Sequence, residues 1–184
     1  MKSLFILMAA AVMAVSMMAE GHLKFKGVEI TGNQSQFVAQ LVKRVCETGF
    51  NGYNVEVIQA DFAGVDMFVN PLTTSQSKTV YAVVASTRKI DDSASLKAQY
   101  HSLKQLMDEK YGEGTQVKME DGYFVNGIGV FERKRVDNAY QYTTPNGEIL
   151  LCIHWEYSSQ GNISVEYYDK ANGAIKDKEA SDDI

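Results

Sequence analysis

The chain has 184 residues (20.4 kDa), of which 45% are hydrophobic and 22% charged, the make-up of one ordinary globular domain with enough apolar content for a core of its own. Two prolines exclude a proline-rich stalk, fourteen glycines without a fixed period exclude collagen, and two cysteines are too few for a disulfide-built scaffold or a four-cysteine zinc site. A formal net charge of −5 argues against nucleic-acid binding through phosphate attraction.

Met1-Lys2-Ser3 is followed by Leu4 through Val15 without a polar residue, and then by Ser16-Met17-Met18-Ala19. A basic start, an apolar run and small residues at the end are the parts of a secretory signal. Residues 1–19 are therefore expected to be a signal peptide, cut after Ala19 or after Ser16. The run is shorter than the ~20 apolar residues of a spanning helix, and no cysteine follows it to carry a lipid. The mature chain is expected in the periplasm or outside the cell, with no membrane span. Such compartments permit disulfides. Cys46 lies beside the apolar stripe of a helical pattern, and Cys152 lies on the less apolar face of a strand pattern. Two separate small thiols are the simpler reading, and pairing stays open.

In the mature chain, Leu23-Lys24-Phe25-Lys26 alternates and Gly27 and Gly32 bracket Val28-Glu29-Ile30, so a short strand and a turn come first. Cap residues at Asn33 to Ser35 precede Phe37, Val38, Leu41, Val42 and Val45 at helical spacing, and Gly49 ends that helix. Val55, Val57 and Val65 to Val69 read as strands. Pro71 and Thr73 to Ser77 read as a loop. Thr79 to Thr87 is apolar on both faces, as in a central strand. Asp91-Asp92-Ser93 caps a second helix with the stripe Leu96, Tyr100, Leu103, Leu106, Met107 and Tyr111, stopped by Lys110 and Gly112. The rest is β: Gln116 to Met119, Ile128 to Arg133, Ala139 to Thr143, Ile149 to Tyr157 and Ile163 to Tyr168, reversed at Asp121-Gly122, Asn126-Gly127, Pro145-Asn146-Gly147 and Gly161-Asn162. Residues 176–184 are polar and mostly acidic, and are expected to fray as a disordered tail.

One α+β domain over residues 20–175 follows. A faint repeat exists at one offset (103 − 41 = 62): Leu41 matches Leu103, Val45 Met107, Gly52 Gly114, Val55 Val117, Val57 Met119 and Phe62 Phe124. Halves 33–90 and 93–170 would each be a helix followed by strands, with equivalent helices on one face of a shared antiparallel sheet.

Glu148, Leu150, Cys152, His154 and Glu156 alternate along one strand and share a face. Cysteine, histidine and glutamate invite a nucleophile, base and orienter. Backbone geometry speaks against it, because residues two apart on a strand sit roughly 6.5–7 Å apart while a nucleophile–base hydrogen bond needs roughly 2.6–3.2 Å. His22, His101 and His154 are scattered without ligand-motif spacing. Asp91-Asp92 reads as a helix cap and Asp182-Asp183 as solvated tail, without a calcium-loop pattern. No catalytic residue, metal site or cofactor is assigned. No phosphate-cradling glycine loop or Gly-x-Ser-x-Gly elbow is present in the sequence. Arg133-Lys134-Arg135 is the strongest basic run, either a charge-protected edge or a contact for an acidic partner. Ile149, Leu151, Ile153, Trp155 and Tyr157 share a strand face and read as core. Tyr168 shares the opposite face of its strand with Ser164 and Glu166, and Tyr140 and Tyr142 share a face on a third strand whose orientation the sequence leaves open. These tyrosines are either half-buried at the sheet's margin or part of a face whose rings among polar groups can bind protein or glycan.

The leader, Leu23-Lys24-Phe25-Lys26-Gly27-Val28-Glu29-Ile30 and the helix ending Lys110-Tyr111-Gly112 together resemble uncharacterised exported proteins of gut Bacteroidetes. The resemblance covers most of the mature chain by patterning and short phrases and transfers no functional residue. The helix-plus-strands plan is also similar to the β-lactamase inhibitory protein family. That similarity implies a concave antiparallel sheet that binds a partner protein, with helices behind it.

The expectation is an α+β fold, an antiparallel sheet with two helices packed on one face. The expected function is that of an exported non-enzymatic binding module contacting a protein or surface polymer through a sheet face, with Tyr142, Tyr168, Arg133, Lys134 and Arg135 as candidate contacts. Two rivals stand beside it. One is a carrier of a small apolar ligand, which a deep apolar cavity under Tyr100 and Met107 would favour. The other is an enzyme whose site is assembled from distant residues, which a cleft joining His101 or His154 to a carboxylate would favour.

Overall fold

A computed structural model describes residues 21–44, 47–50, 56–119, 122–125, 131–157 and 159–182; the expected signal peptide 1–19 and Cys46 lie outside them. The chain opens with a small hairpin, β1 (Lys24–Phe25) and β2 (Val28–Glu29). Its turn residues Lys26 and Gly27 both have positive φ, 51° and 80°, the backbone that a tight hairpin requires and glycine adopts freely. Helix α1 (Gln34–Arg44) follows, capped by Asn33, whose Oδ1 accepts from the Gln36 N–H at 3.0 Å. Phe37 and Leu41, one turn apart, are fully buried, and burying each such side chain contributes about 1.5–3 kcal/mol.

An antiparallel meander comes next: β3 (Glu47–Phe50), β4 (Glu56–Phe62), β5 (Val65–Thr73) and β6 (Val80–Thr87). Pro71, expected in a loop, lies in β5 opposite Val83. Pairing with β4 stops at Val69, so Pro71 stands where β5 is paired on one side only, the sheet setting that tolerates proline. Helix α2 (Ser93–Tyr111) begins at Asp92, whose carboxylate accepts from Ser95 N–H at 2.8 Å, and ends at Gly112 with φ 85°. Then come β7 (Thr115–Val117), β8 (Gly122–Val125), β9 (Phe131–Thr144), β10 (Gly147–Tyr157), β11 (Gln160–Asp169) and α3 (Lys170–Asp182).

The sheet order is β3-β4-β5-β6-β11-β10-β9-β7, with β8 paired to β9, and these pairings are antiparallel. Each half of the path runs from a helix into strands, and the last strands of the two halves, β6 and β11, pair at the centre. The expected α+β class is the observed one. Of the repeat matches, Leu41 and Leu103 are both buried on helices, whereas Val45, Gly52 and Val55 lie outside the described residues.

Alternation sorts the strands into two faces. Met67, Val69, Val83, Ala85, Ile149, Leu151, Ile153, Trp155, Ile163, Val165 and Tyr167 pack with Phe37 and Leu41 of α1 and Leu96, Tyr100 and Leu103 of α2 into one core. Gly161 permits this packing, since a Cβ there would lie 2.5 Å from the His154 carbonyl oxygen and 3.1 Å from Leu96. In β9, two stretches that the sequence separates are one strand. Its irregularity lies opposite Cys152, where Asn138 takes φ 51° and the register with β10 shifts by a residue. This is a β-bulge, and the Tyr100 hydroxyl donates to the Asn138 carbonyl oxygen across the core.

The expected disordered tail is a correction: residues from Lys176 to Asp182 belong to α3. Long-range polar contacts hold that helix. Asp169, buried, accepts from Asn172 N–H at 2.8 Å as the helix cap, from Leu23 N–H at 2.7 Å, and lies 3.1 Å from His22 Nδ1. Asn172 Nδ2 donates to the carbonyls of Ile30 (2.8 Å) and Val80 (3.0 Å). Glu179 accepts from the N–H groups of Gln76 (2.7 Å) and Ser77 (3.0 Å).

Candidate functional site

The second face of the sheet, opposite the one α1 and α2 cover, carries a buried polar floor. Period two on β10 puts Leu150, Cys152 and His154 there, and on β11 Asn162, Ser164, Glu166 and Tyr168. Register sets Cys152 opposite Ser164 and Leu150 opposite Glu166. Cys152, His154, Ser164 and Glu166 are all 0–3% exposed.

The side chains converge although the backbones do not. Ser164 Oγ is a hub, 2.6 Å from His154 Nε2, 2.7 Å from Glu166 Oε1 and 3.1 Å from Cys152 Sγ. Around it, Cys152 Sγ lies 3.3 Å from His154 Nε2 and 3.7 Å from Glu166 Oε1, and His154 Nε2 lies 3.4 Å from Glu166 Oε1. The other carboxylate oxygen, Oε2, accepts from the Tyr168 hydroxyl at 2.6 Å. The backbone-spacing argument against contact between Cys152 and His154 is thus corrected, because both side chains lean toward the serine across the strand gap. The carboxylate in the group is Glu166. Glu156, its counterpart in the sequence pattern, pairs with Lys89 at 3.3 Å.

Burial and neighbours set the charges. Burial, with the Glu166 carboxylate beside it, pushes the Cys152 thiol well above its ordinary value. Burial also pushes Glu166 up, but hydrogen bonds from His154, Tyr168 and Ser164 outweigh it and hold the carboxyl below the usual range. Tyr168 is raised by burial and by Glu166. A nucleophile relay fits this poorly. The thiol is held protonated, whereas nucleophilic cysteines carry lowered values. The carboxylate meets the same imidazole nitrogen as the serine, where a relay places it at the other. Thiol, imidazole and carboxylate together are instead a metal-ligand set, which the scattered histidines did not suggest.

The other candidates are dispersed. Tyr142 is a correction: it is 2% exposed in the core, tilted against Tyr111 and donating to Asp108 at 2.9 Å. Tyr168 is half-buried on the second face. Arg133 and Lys134 pair with β8 and Arg135 with Trp155 on β10, and their side chains lie outside the described residues. His22 and His101 stand apart from the floor; His22 meets Asp169 and His101 is exposed. A half-open cleft of about 170 Å³ lies against Lys26, Phe62, Leu103, Met107, Lys110 and Tyr167. That is below the ~300–1,000 Å³ of small-molecule sites, and Tyr100 is packed at 1% exposure. Among the described residues no helix is long and apolar enough to cross a membrane.

No family model, curated protein or solved structure matches the chain.

Proposed function

We propose that the protein is an exported, non-enzymatic binding module that contacts a protein or a surface polymer through the second face of its sheet. One observation carries the reading. Rows of half-buried side chains cross the central strands on that face: Phe68 and Leu72 on β5, Val84 and Ser86 on β6, Tyr168 on β11 and Leu150 on β10. Apolar area interleaved with hydroxyls, on strands stiffened from behind by two helices, suits a contact surface. The leader supports export, and Tyr168 keeps a place in the contact. The Arg133 to Arg135 run stays with β9 as a further candidate contact for an acidic partner.

The test is capture of cross-linked envelope material from the source cells by the purified full chain. Phe68→Lys with Leu150→Lys, its fold checked against the parent by circular dichroism, is expected to abolish capture. Val42→Lys, at a 38% exposed position on α1, leaves it intact. Equal capture by all three proteins refutes the assignment of this face. Sensitivity of the captured material to protease separates a protein from a polymer.

A further inference from the structure

The polar floor has a second consequence, independent of what the face contacts. We infer that Cys152, His154 and Glu166 form a binding site for one divalent cation of borderline softness, Zn2+ in first place.

Geometry is the first support. Zinc bonds of about 2.3 Å to sulfur, 2.0–2.1 Å to nitrogen and 2.0–2.2 Å to oxygen, at tetrahedral angles, place the ligand atoms roughly 3.4–3.6 Å from one another. The three separations here are 3.3 Å (Sγ to Nε2), 3.7 Å (Sγ to Oε1) and 3.4 Å (Nε2 to Oε1). The triangle is thus already the face of a coordination tetrahedron. Thiolate, imidazole and carboxylate are the donor types that zinc takes in proteins.

Support from the surrounding shell is the second. Glu166 reaches the triangle with Oε1 only, because Oε2 is held by Tyr168. An oriented carboxylate of this kind is what neighbours of metal ligands provide. The ligands stand on two adjacent paired central strands, β10 and β11, so their spacing is fixed by a ladder and not by a loop. Near-complete burial matches the closed surroundings of a structural ion, not a centre open to substrate.

Ser164 Oγ caps the triangle from one side, 2.6 Å from Nε2, 2.7 Å from Oε1 and 3.1 Å from Sγ. On loading, the hydroxyl moves outward to the fourth position, or a water takes it. The Cys152 S–H bond breaks, the sulfur keeps the electron pair and bonds the ion, and the proton leaves to solvent. No oxidant or reductant takes part.

The experiment is titration of the purified, reduced full chain with Co2+, and then displacement by Zn2+. One equivalent of Co2+ is expected to give a thiolate-to-cobalt charge-transfer band in the near ultraviolet together with the visible bands of a tetrahedral site, and Zn2+ removes both. Cys152→Ser is expected to lose the charge-transfer band and to weaken Zn2+ binding, measured by competition with a chromophoric chelator, by more than the ~10–100-fold that loss of an outer-shell partner costs. Cys46→Ser keeps the band. A far-ultraviolet circular dichroism spectrum of Cys152→Ser that matches the parent guards against reading misfolding as loss of a ligand. Absence of the band in the unaltered chain, its survival in Cys152→Ser, or its loss in Cys46→Ser overturns the assignment.

Discussion

Replacing Asn172 by alanine tests whether polar contacts hold the closing helix. The amide is 3% exposed, and its Nδ2 donates at 2.8 Å to the Ile30 carbonyl and at 3.0 Å to the Val80 carbonyl. Those carbonyls belong to the segment after β2 and to the start of β6, so one side chain joins three parts of the chain. Alanine leaves both acceptors in place without their donor. A buried acceptor so stranded costs about 1–3 kcal/mol. One amide serves both, and their losses overlap, so about 2–4 kcal/mol is expected. That is a sizeable part of the 5–15 kcal/mol of a typical domain. Asn172→Asp keeps the shape but turns acceptors toward acceptors, and is expected to cost at least as much. Urea unfolding followed by circular dichroism measures both, with Lys178→Ala on the exposed side of α3 as the reference, expected within about 0.5 kcal/mol of the parent. A midpoint for Asn172→Ala within the scatter of that reference, at unchanged slope, would refute the claim that these two bonds anchor α3.

Hydrogen bonds from Ser77 and the Gln76 N–H hold the Glu179 carboxyl at about 2, below its ordinary 4.5. A depressed acid stabilises the fold above its unfolded value and loses that contribution as pH falls from about 4.5 toward 2. The urea midpoint of the parent is therefore expected to fall more steeply than that of Glu179→Gln over this window, and parallel curves would count against the clamp. Gly161→Ala drives a methyl group to 2.5 Å from the His154 carbonyl oxygen, where the backbone must shift. A loss of about 1–3 kcal/mol is expected from overpacking, read by thermal unfolding, and a change below 0.5 kcal/mol would show that the strands part there without cost.

Local signals carried much of this fold. Asp92 and Gly112 cap α2 where their chemistry requires, and the alternation of Ile149, Leu151, Ile153 and Trp155 names the core face of β10. Two things escaped for physical reasons. The bulge at Asn138 breaks the period of two, so that Val136 and Ala139, three residues apart, pack on the same side with Cys152. Any face assigned to Tyr140 and Tyr142 by counting through this strand was therefore unconstrained, and Tyr142 proved to be core. Helix α3 has little apolar periodicity; Asn172 and Glu179 secure it through partners 142 and 103 positions away, and no local window contains such pairs. The polar floor lay between these cases. Cys152 and His154 share a face in the sequence, and so do Ser164 and Glu166 on the next strand. Only the register of β10 against β11 makes them one group.

The composition of that group also bears on how a metal would be used. A serine hydroxyl has one proton to donate and two lone pairs to accept with. In the tautomer that carries its proton on Nε2, His154 donates to Ser164, which can also accept from the Cys152 thiol while donating to Glu166 Oε1, and this uses its capacity fully. Tyr168 supplies the second donor to the carboxylate. Burying such groups is costly only when partners are missing, and here the groups supply partners to one another. An ion at this place is then an addition to a folded sheet and not the condition for folding, unlike the small zinc domains that unfold when the metal is removed. The serine is what makes the difference. It gives each of the three ligand atoms a hydrogen-bond partner, and its single rotatable bond lets it give way to an ion.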